Sequence, residues 1–161
     1  MTSKMMEMEE LAARAAKLRA AGKKIVFTNG CFDLLHVGHV RYLRAARKLG
    51  DVLAVGINGD DSVRELKGPN RPINHARDRA EVLAALECVD LVTIFPEVRA
   101  THLLEMVRPA IYAKGGDYTP ASLHAEERAV LEEIGTEIRI IPFEAGYSTS
   151  LILEKLACDS K

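Results

Sequence analysis

Lys24-Ile-Val-Phe-Thr-Asn-Gly-Cys-Phe-Asp-Leu-Leu-His-Val-Gly-His39 carries a short apolar run into a glycine-bearing loop and on, without a break, into a helical pattern. Lys24 to Thr28 is β-branched and aromatic and is bounded by Asn29-Gly30, which predicts a buried strand. From Gly38 to Leu49 the apolar residues Val40, Leu43, Ala46 and Leu49 recur at helical spacing until Gly50 closes the segment. A strand that empties through a loop into a helix opens a βαβ unit, and the rest of the chain repeats it. Strands are expected at Val52–Ile57, Leu91–Phe95, Ala110–Ala113 and Glu137–Ile141, and helices at Arg77–Leu86, Arg99–Val107, Ala125–Ile134 and Ser148–Leu156. Continuous apolar strands, rather than strict in-and-out alternation, predict a doubly wound parallel five-stranded sheet with helices on both faces. In such α/β folds ligands sit beyond the carboxyl ends of the strands. The loops to search are therefore 29–37, 58–75, 95–98, 114–120 and 142–147.

Working outward, Met5 to Ala21 reads as an amphipathic helix with Leu11, Ala15 and Leu18 on one stripe and Gly22 as its stop. The expected organisation is a leading helix over 1–22, a domain over 23–157 and a short tail over 158–161. The 161 residues, 48% apolar, suffice for one core of ordinary size. Twenty-two Lys and Arg against 23 Asp and Glu leave a net charge of −1, which disfavours a protein living on nucleic-acid backbones. No apolar run approaches the roughly 18 residues a membrane span needs, and the start is polar and acidic, so a cytoplasmic protein without membrane partners is expected. Three widely spaced cysteines, Cys31, Cys88 and Cys158, fit neither a disulfide framework nor a zinc finger, and no metal-ligand set is expected.

The helix that follows the first loop presents free N–H groups and a positive dipole end, which favour phosphate. His36 and His39, three apart, fall on one side of its first turn and could hydrogen-bond phosphate oxygens as charge is redistributed. Read in isolation they are equally a helix-start pair or half of a metal site. Gly38 stands where a Cβ would crowd an approaching ligand. Lys67 beside Gly68 lies in the expected loop after the second strand. At the end of the fourth strand, Lys114, Gly115, Gly116 and Asp117 could lie flat against a base or ribose, or form a plain turn. Ser148 and Thr149 open the last helix as an anion cradle or an ordinary N-cap. His75, His102 and His124 are scattered and are expected at the surface or in the core.

The string Gly30-x-Phe-Asp-x-x-His-x-Gly-His39 resembles the signature of the nucleotidyltransferase superfamily, whose members have a Rossmann-like fold and transfer a nucleotidyl group onto a phosphate ester. Class I aminoacyl-tRNA synthetases carry a similar histidine motif, but also a second Lys-rich loop that is missing here. Residues 29–33, 66–68, Arg71-Pro72, 114–118 and 146–149 look like the branch that adenylylates heptose 1-phosphate for lipopolysaccharide, in its stand-alone form, and the resemblance runs from about Lys23 to Leu156.

That resemblance implies ATP and D-glycero-β-D-manno-heptose 1-phosphate as substrates, Mg2+ accompanying ATP, and ADP-heptose and pyrophosphate as products. It implies catalytic roles for His36, His39 and Lys67. Contacts to the nucleotide would come from Thr28, Asn29, Gly30, Cys31, Phe32, Asp33, Gly38, Lys114, Gly115, Gly116, Asp117, Ser148 and Thr149, with Arg79 holding phosphate and Arg71 and Arg77 as further basic candidates. Asp33 would orient the loop or approach the metal. Cys31 has no base at a recognisable spacing, and the family reaction is a direct displacement, so it takes a contact role. Two alternatives remain: a cytidylyltransferase acting on glycerol 3-phosphate or another polyol phosphate, and a non-catalytic nucleotide-binding module. ATP is preferred over CTP because Phe143 stands where cytidylyltransferases of the related branch carry an Arg. The Ala-rich first helix could serve as a homodimer surface as readily as a packing one.

Overall fold

The computed structural model describes residues 4–116, 119–142 and 145–159. Five strands, β1 (Ile25–Gly30), β2 (Val52–Asn58), β3 (Leu91–Phe95), β4 (Ile111–Gly115) and β5 (Glu137–Ile141), pair in parallel in the order β3-β2-β1-β4-β5. Between them run α2 (Val37–Arg47), α3 (Asp60–Lys67), α4 (Ala76–Ala84), α5 (Thr101–Val107) and α6 (Ala125–Glu133), with α1 (Met8–Ala20) leading and α7 (Thr149–Cys158) closing. The winding moves outward from β1 to β3, then returns across the sheet to β4 and β5. The direction therefore reverses between β1 and β4, which is where a crevice opens in this kind of sheet.

Alternate residues of each strand feed two cores. Phe27, Ala54 and Tyr112 face one side, against Leu11 of α1, Leu103 and Leu104 of α5 and Leu131 of α6. Val26, Val55 and Ile111 face the other, against Leu43 of α2 and Leu83 of α4. Gly56 is needed in the first layer, because a Cβ there would stand 2.9 Å from the Phe27 ring and 3.0 Å from Leu103. The leading helix belongs to that same layer. Leu11 and Ala15 are fully buried, and Met5 makes a parallel bridge to Val92 at the outer edge of β3.

Expected and observed elements differ most in segment 58–75, expected to be a loop. It contains α3, which opens on Asp60 and Asp61 and ends on Arg64 and Lys67, matching the helix dipole. Only Ser62 and Val63 of α3 are buried, too few for an apolar period to be read. Strand β1 also runs two residues further than expected, because Asn29 and Gly30 pair with Gly56 and Ile57.

Candidate active site

A cleft of about 1080 Å³ lies beyond the carboxyl ends of β1 and β4. The first loop reaches it through Phe32, a buried residue in the left-handed region at φ +46°. Such a conformation costs a non-glycine residue on the order of 1–3 kcal/mol, so neighbours must hold it. Asp33 does this. Its fully buried carboxylate accepts from Arg71 Nε at 2.6 Å and from the main-chain N–H groups of Ile73 and Asn74 at 2.8–2.9 Å. Burial alone would raise its pKa, but those N–H groups and the Arg71 guanidinium hold the carboxyl below its ordinary value. Asp33 thus ties the first loop to segment 71–74, and its oxygens are spent inside the protein.

Arg79 is a correction to the expected phosphate ligand. Its side chain has no solvent exposure: Nε donates to the carbonyl of Asn74 at 2.9 Å, Nη1 to that of Cys31 at 2.6 Å and Nη2 to Asp60 at 2.8 Å. Every nitrogen of the guanidinium has a partner, and it joins the same two segments from behind. Thr28 is likewise structural. It is buried against Tyr42, whose hydroxyl donates to the carbonyl of Ala113, so Thr28 Oγ1 must donate to Tyr42 across 2.8 Å. Burial pushes the Tyr42 phenol up to about 12, and it stays protonated. Asn29 accepts the Tyr112 hydroxyl at 2.5 Å and lines the cleft with Gly30, Cys31 and Phe32. Burial raises the Cys31 thiol although Lys67, Arg79 and Arg71 pull it down, the opposite of an activated thiolate.

His36 and His39 come together as expected, their rings 3.9 Å apart and tilted by 35°. The His36 main-chain N–H donates to His39 Nδ1 at 3.3 Å, which makes that nitrogen an acceptor and puts the proton of neutral His39 on Nε2. His36 Nδ1 is buried without a partner, leaving Nε2 to reach a ligand. Burial lowers both imidazoles, and the neighbouring His36 assists in taking His39 to about 4. Near neutral pH the pair is thus a set of uncharged N–H donors over the start of α2. Gly38 lines the cleft, and the space it leaves is needed by the protein itself. A Cβ there would stand 2.8 Å from the His36 ring and 2.9 Å from Tyr147 Cβ, so the glycine makes room for the protein's own side chains. Tyr147 stacks on His36 at 6.4 Å, and Arg41 lies 5.6 Å from the centre of its ring.

An imidazole held neutral in the fold has a stability signature. Unfolded, His39 takes up a proton below about 6.5, whereas folded it resists until about 4. Its contribution is complete above pH 6.5 and is lost as pH falls from there toward 4. Between pH 7.5 and pH 5 we expect the wild type to lose about 1–2 kcal/mol more than His39→Gln, read by urea unfolding at both pH values. Equal losses would mean that the ring is not held neutral.

Lys67 ends α3 and is exposed at the cleft. The hydroxyls at α7 are largely occupied. Ser148 accepts the Leu151 N–H at 3.0 Å as an N-cap, and Thr149 donates to the Leu34 carbonyl at 2.9 Å, tying α7 to the first loop. What α7 offers an anion is its main-chain N–H groups. Gly115 ends β4 and Gly116 turns the chain at φ +68°, while Asp117 and Phe143 lie outside the described residues. The cleft also has residues with no expected role: Arg41 and Tyr147 beside the histidines, and Arg99, His124 and Glu127 across from them. Only a spatial convergence of distant segments marks Arg99, Glu127 and His124, the last of these expected at the surface or in the core, whereas Tyr147 lies inside the 146–149 stretch that carries the resemblance. Among the described residues no group of three His, Cys, Asp or Glu is placed to hold a metal ion, and no helix is long and apolar enough to cross a membrane.

The cytidylyltransferase-like family matches residues 27–155. The bifunctional protein HldE of Geotalea uraniireducens (strain Rf4) is 48% identical over 158 residues, which are 98% of this chain and 32% of that protein. HldE of Geobacter metallireducens is 47% identical over 154 residues, 96% of this chain and 31% of that protein. The chain thus spans about a third of the length of these relatives. A crystal structure of the lipopolysaccharide core biosynthesis protein from Thermoplasma volcanium GSS1 superposes with a TM-score of 0.64 at 28% identity, covering 76% of this chain and 98% of that one. Pantoate-beta-alanine ligase from Francisella tularensis shares the fold, with a TM-score of 0.59 at 16% identity over 92% of this chain and 69% of that one.

Proposed function

The chain belongs to the cytidylyltransferase-like family and is a nucleotidyltransferase, and from that premise we propose that it moves AMP from ATP onto a sugar 1-phosphate, with D-glycero-β-D-manno-heptose 1-phosphate as the preferred acceptor. The observation that carries the reading is the pair of neutral imidazoles at the start of α2, each with Nδ1 turned into the protein, in a cleft with room for two substrates. The relatives named HldE and the lipopolysaccharide core biosynthesis protein support the heptose acceptor. The apolar rim of Ile141, Pro142 and Ala145 near Gly115 suits the broad face of a purine.

In this scheme an oxygen of the acceptor phosphate attacks the α-phosphorus as the bond to the β-phosphate oxygen breaks, and pyrophosphate leaves with the electron pair. No covalent enzyme intermediate forms. His36 and His39 donate through Nε2 to oxygens of the α-phosphate, the α2 N–H groups add their dipole, and Lys67 places a point charge on the departing phosphates. Mg2+ would accompany the triphosphate and offset its charge, and no residue is assigned to it.

Pyrophosphate release tests the assignment with ATP and CTP side by side, each against heptose 1-phosphate and glycerol 3-phosphate. The expected result is a kcat/KM at least tenfold higher for ATP with the sugar phosphate, consistent with the cost of mismatched polar contacts to the base. A preference for CTP with glycerol 3-phosphate would replace this reading with the cytidylyltransferase one.

A further inference from the structure

Across the cleft from the histidines stands a second wall that the scheme above leaves without a task. It is built from the segment after β3 and the first turn of α6, with Lys114 of β4 between it and the first loop. Asn58, buried at the end of β2, donates to the carbonyls of Glu97 and Val98 at 3.3 Å and so fixes the segment that carries Arg99. His124 precedes α6 and lines the cleft with its Nδ1 buried and unpartnered. Glu127 lines the cleft while only 6% exposed, and its Oε1 accepts the Ala100 N–H at 3.2 Å. Burial lowers Lys114 from its ordinary value, Glu127 counters this, and Arg99 and Cys31 also act on the ammonium. Lys114 therefore senses charges on both walls.

Glu127 is the anomaly. A cleft for a triphosphate gathers positive charge, as Lys67, Arg71 and Arg41 do here, and a buried carboxylate repels phosphate and costs desolvation. Asp33, the other acid on the cleft, is saturated by donors from its own protein. A carboxylate held at the wall by one main-chain N–H is suited to a ligand that brings donors without negative charge at that point, and hydroxyl groups are such donors.

We propose that this wall is the acceptor subsite and that it selects a polyhydroxylated phosphate ester, Glu127 accepting from hydroxyls of the sugar ring while Arg99 and Lys114 take the acceptor's phosphate. The inference rests on the sugar-phosphate reading above. Glu127 is then a specificity determinant, and a phosphate ester lacking the matching hydroxyls gives it nothing to bind.

The test is steady-state pyrophosphate release with ATP and D-glycero-β-D-manno-heptose 1-phosphate, alongside a series of its analogues each lacking one hydroxyl, for the wild type, Glu127→Gln and Arg99→Ala. Gln keeps the acceptor for the Ala100 N–H. In Glu127→Gln the KM for the intact sugar phosphate should rise about 10–100-fold while that for ATP stays within about twofold, since a hydrogen bond to a charged group is what is lost. One deoxy sugar should be penalised about tenfold or more in the wild type and much less in Glu127→Gln. An unchanged acceptor KM in the folded variant, or equal rises for both substrates, overturns the proposal. Should Glu127→Gln fail to fold, exposed Arg99 carries the test, and an unchanged acceptor KM in Arg99→Ala overturns it. A wild type that releases no pyrophosphate with any sugar 1-phosphate overturns the functional reading, and this inference with it.

Discussion

Replacing His39 by alanine is expected to lower kcat on the order of 10²–10³-fold, about 2.7–4 kcal/mol, the loss typical of removing one preorganised donor to developing negative charge. The argument runs through the proton. Because Nδ1 is occupied by the His36 N–H, the Nε2 proton is fixed in place, and burial keeps the ring neutral at working pH. The donor thus needs no reorganisation as negative charge is redistributed onto the α-phosphate oxygens during the displacement. Alanine deletes that donor and also the acceptor for the His36 N–H, which should cost about 1 kcal/mol of stability. The two losses separate experimentally: kcat falls by orders of magnitude, whereas the urea midpoint moves modestly and KM for ATP little. A folded His39→Ala enzyme with near-normal kcat would remove the imidazole from the proposed chemistry. Loss of folding in place of loss of turnover would make His39 a capping residue.

The sequence shows clearly those features in which local residue type and position in the fold coincide. Leu91–Phe95 can be bounded to the residue because it is buried almost throughout and apolar but for Thr93, and Glu137–Ile141 because its isoleucines follow a charged, glycine-marked turn, although Glu137 and Arg139 of this edge strand are exposed. The histidine pair is legible because three-residue spacing at a helix start leaves the rings little choice but to meet. Other features depend on direction, which residue type does not carry. Arg79 and Lys67 are both basic residues near the expected phosphate loop, yet one is turned wholly inward and the other outward. Gly38 reads as room for a ligand, but that it must also leave room for His36 and Tyr147 is visible only in the fold. Glu127, His124 and Arg99 are separated along the chain and meet only because the crossovers from β3 to β4 and from β4 to β5 pack α5 and α6 in the same layer, on one side of the cleft. Helix α3 was hidden for a simpler reason: its exposed, charged surface leaves almost no apolar period to detect.

Arg79→Met should destabilise the fold by about 3 kcal/mol, in the range for removing one partner of a buried ion pair. Met fills much of the space of the arginine stem, so the effect isolates the guanidinium. Its loss leaves the carbonyls of Cys31 and Asn74 without their donor and Asp60 without its closest cation, although Asp60 keeps the Ala76 N–H at 2.8 Å and is about a third exposed, which limits its share. For a domain of this size each kcal/mol lowers Tm by about 2–4 °C, so a fall of about 6–12 °C is expected. The catalytic consequence should follow from geometry rather than from lost charge. Segment 71–74 and the first loop would loosen together, because Arg79 and Asp33 hold the same two pieces of chain from opposite sides. A phosphate ligand would behave in the opposite manner, leaving Tm nearly unchanged and raising KM for ATP. A double-mutant cycle of Arg79→Met with Asp60→Asn decides between them. Coupling of about 1 kcal/mol or more in stability marks the inward brace, whereas additive effects on stability with a shared rise in KM for ATP would return Arg79 to the phosphates.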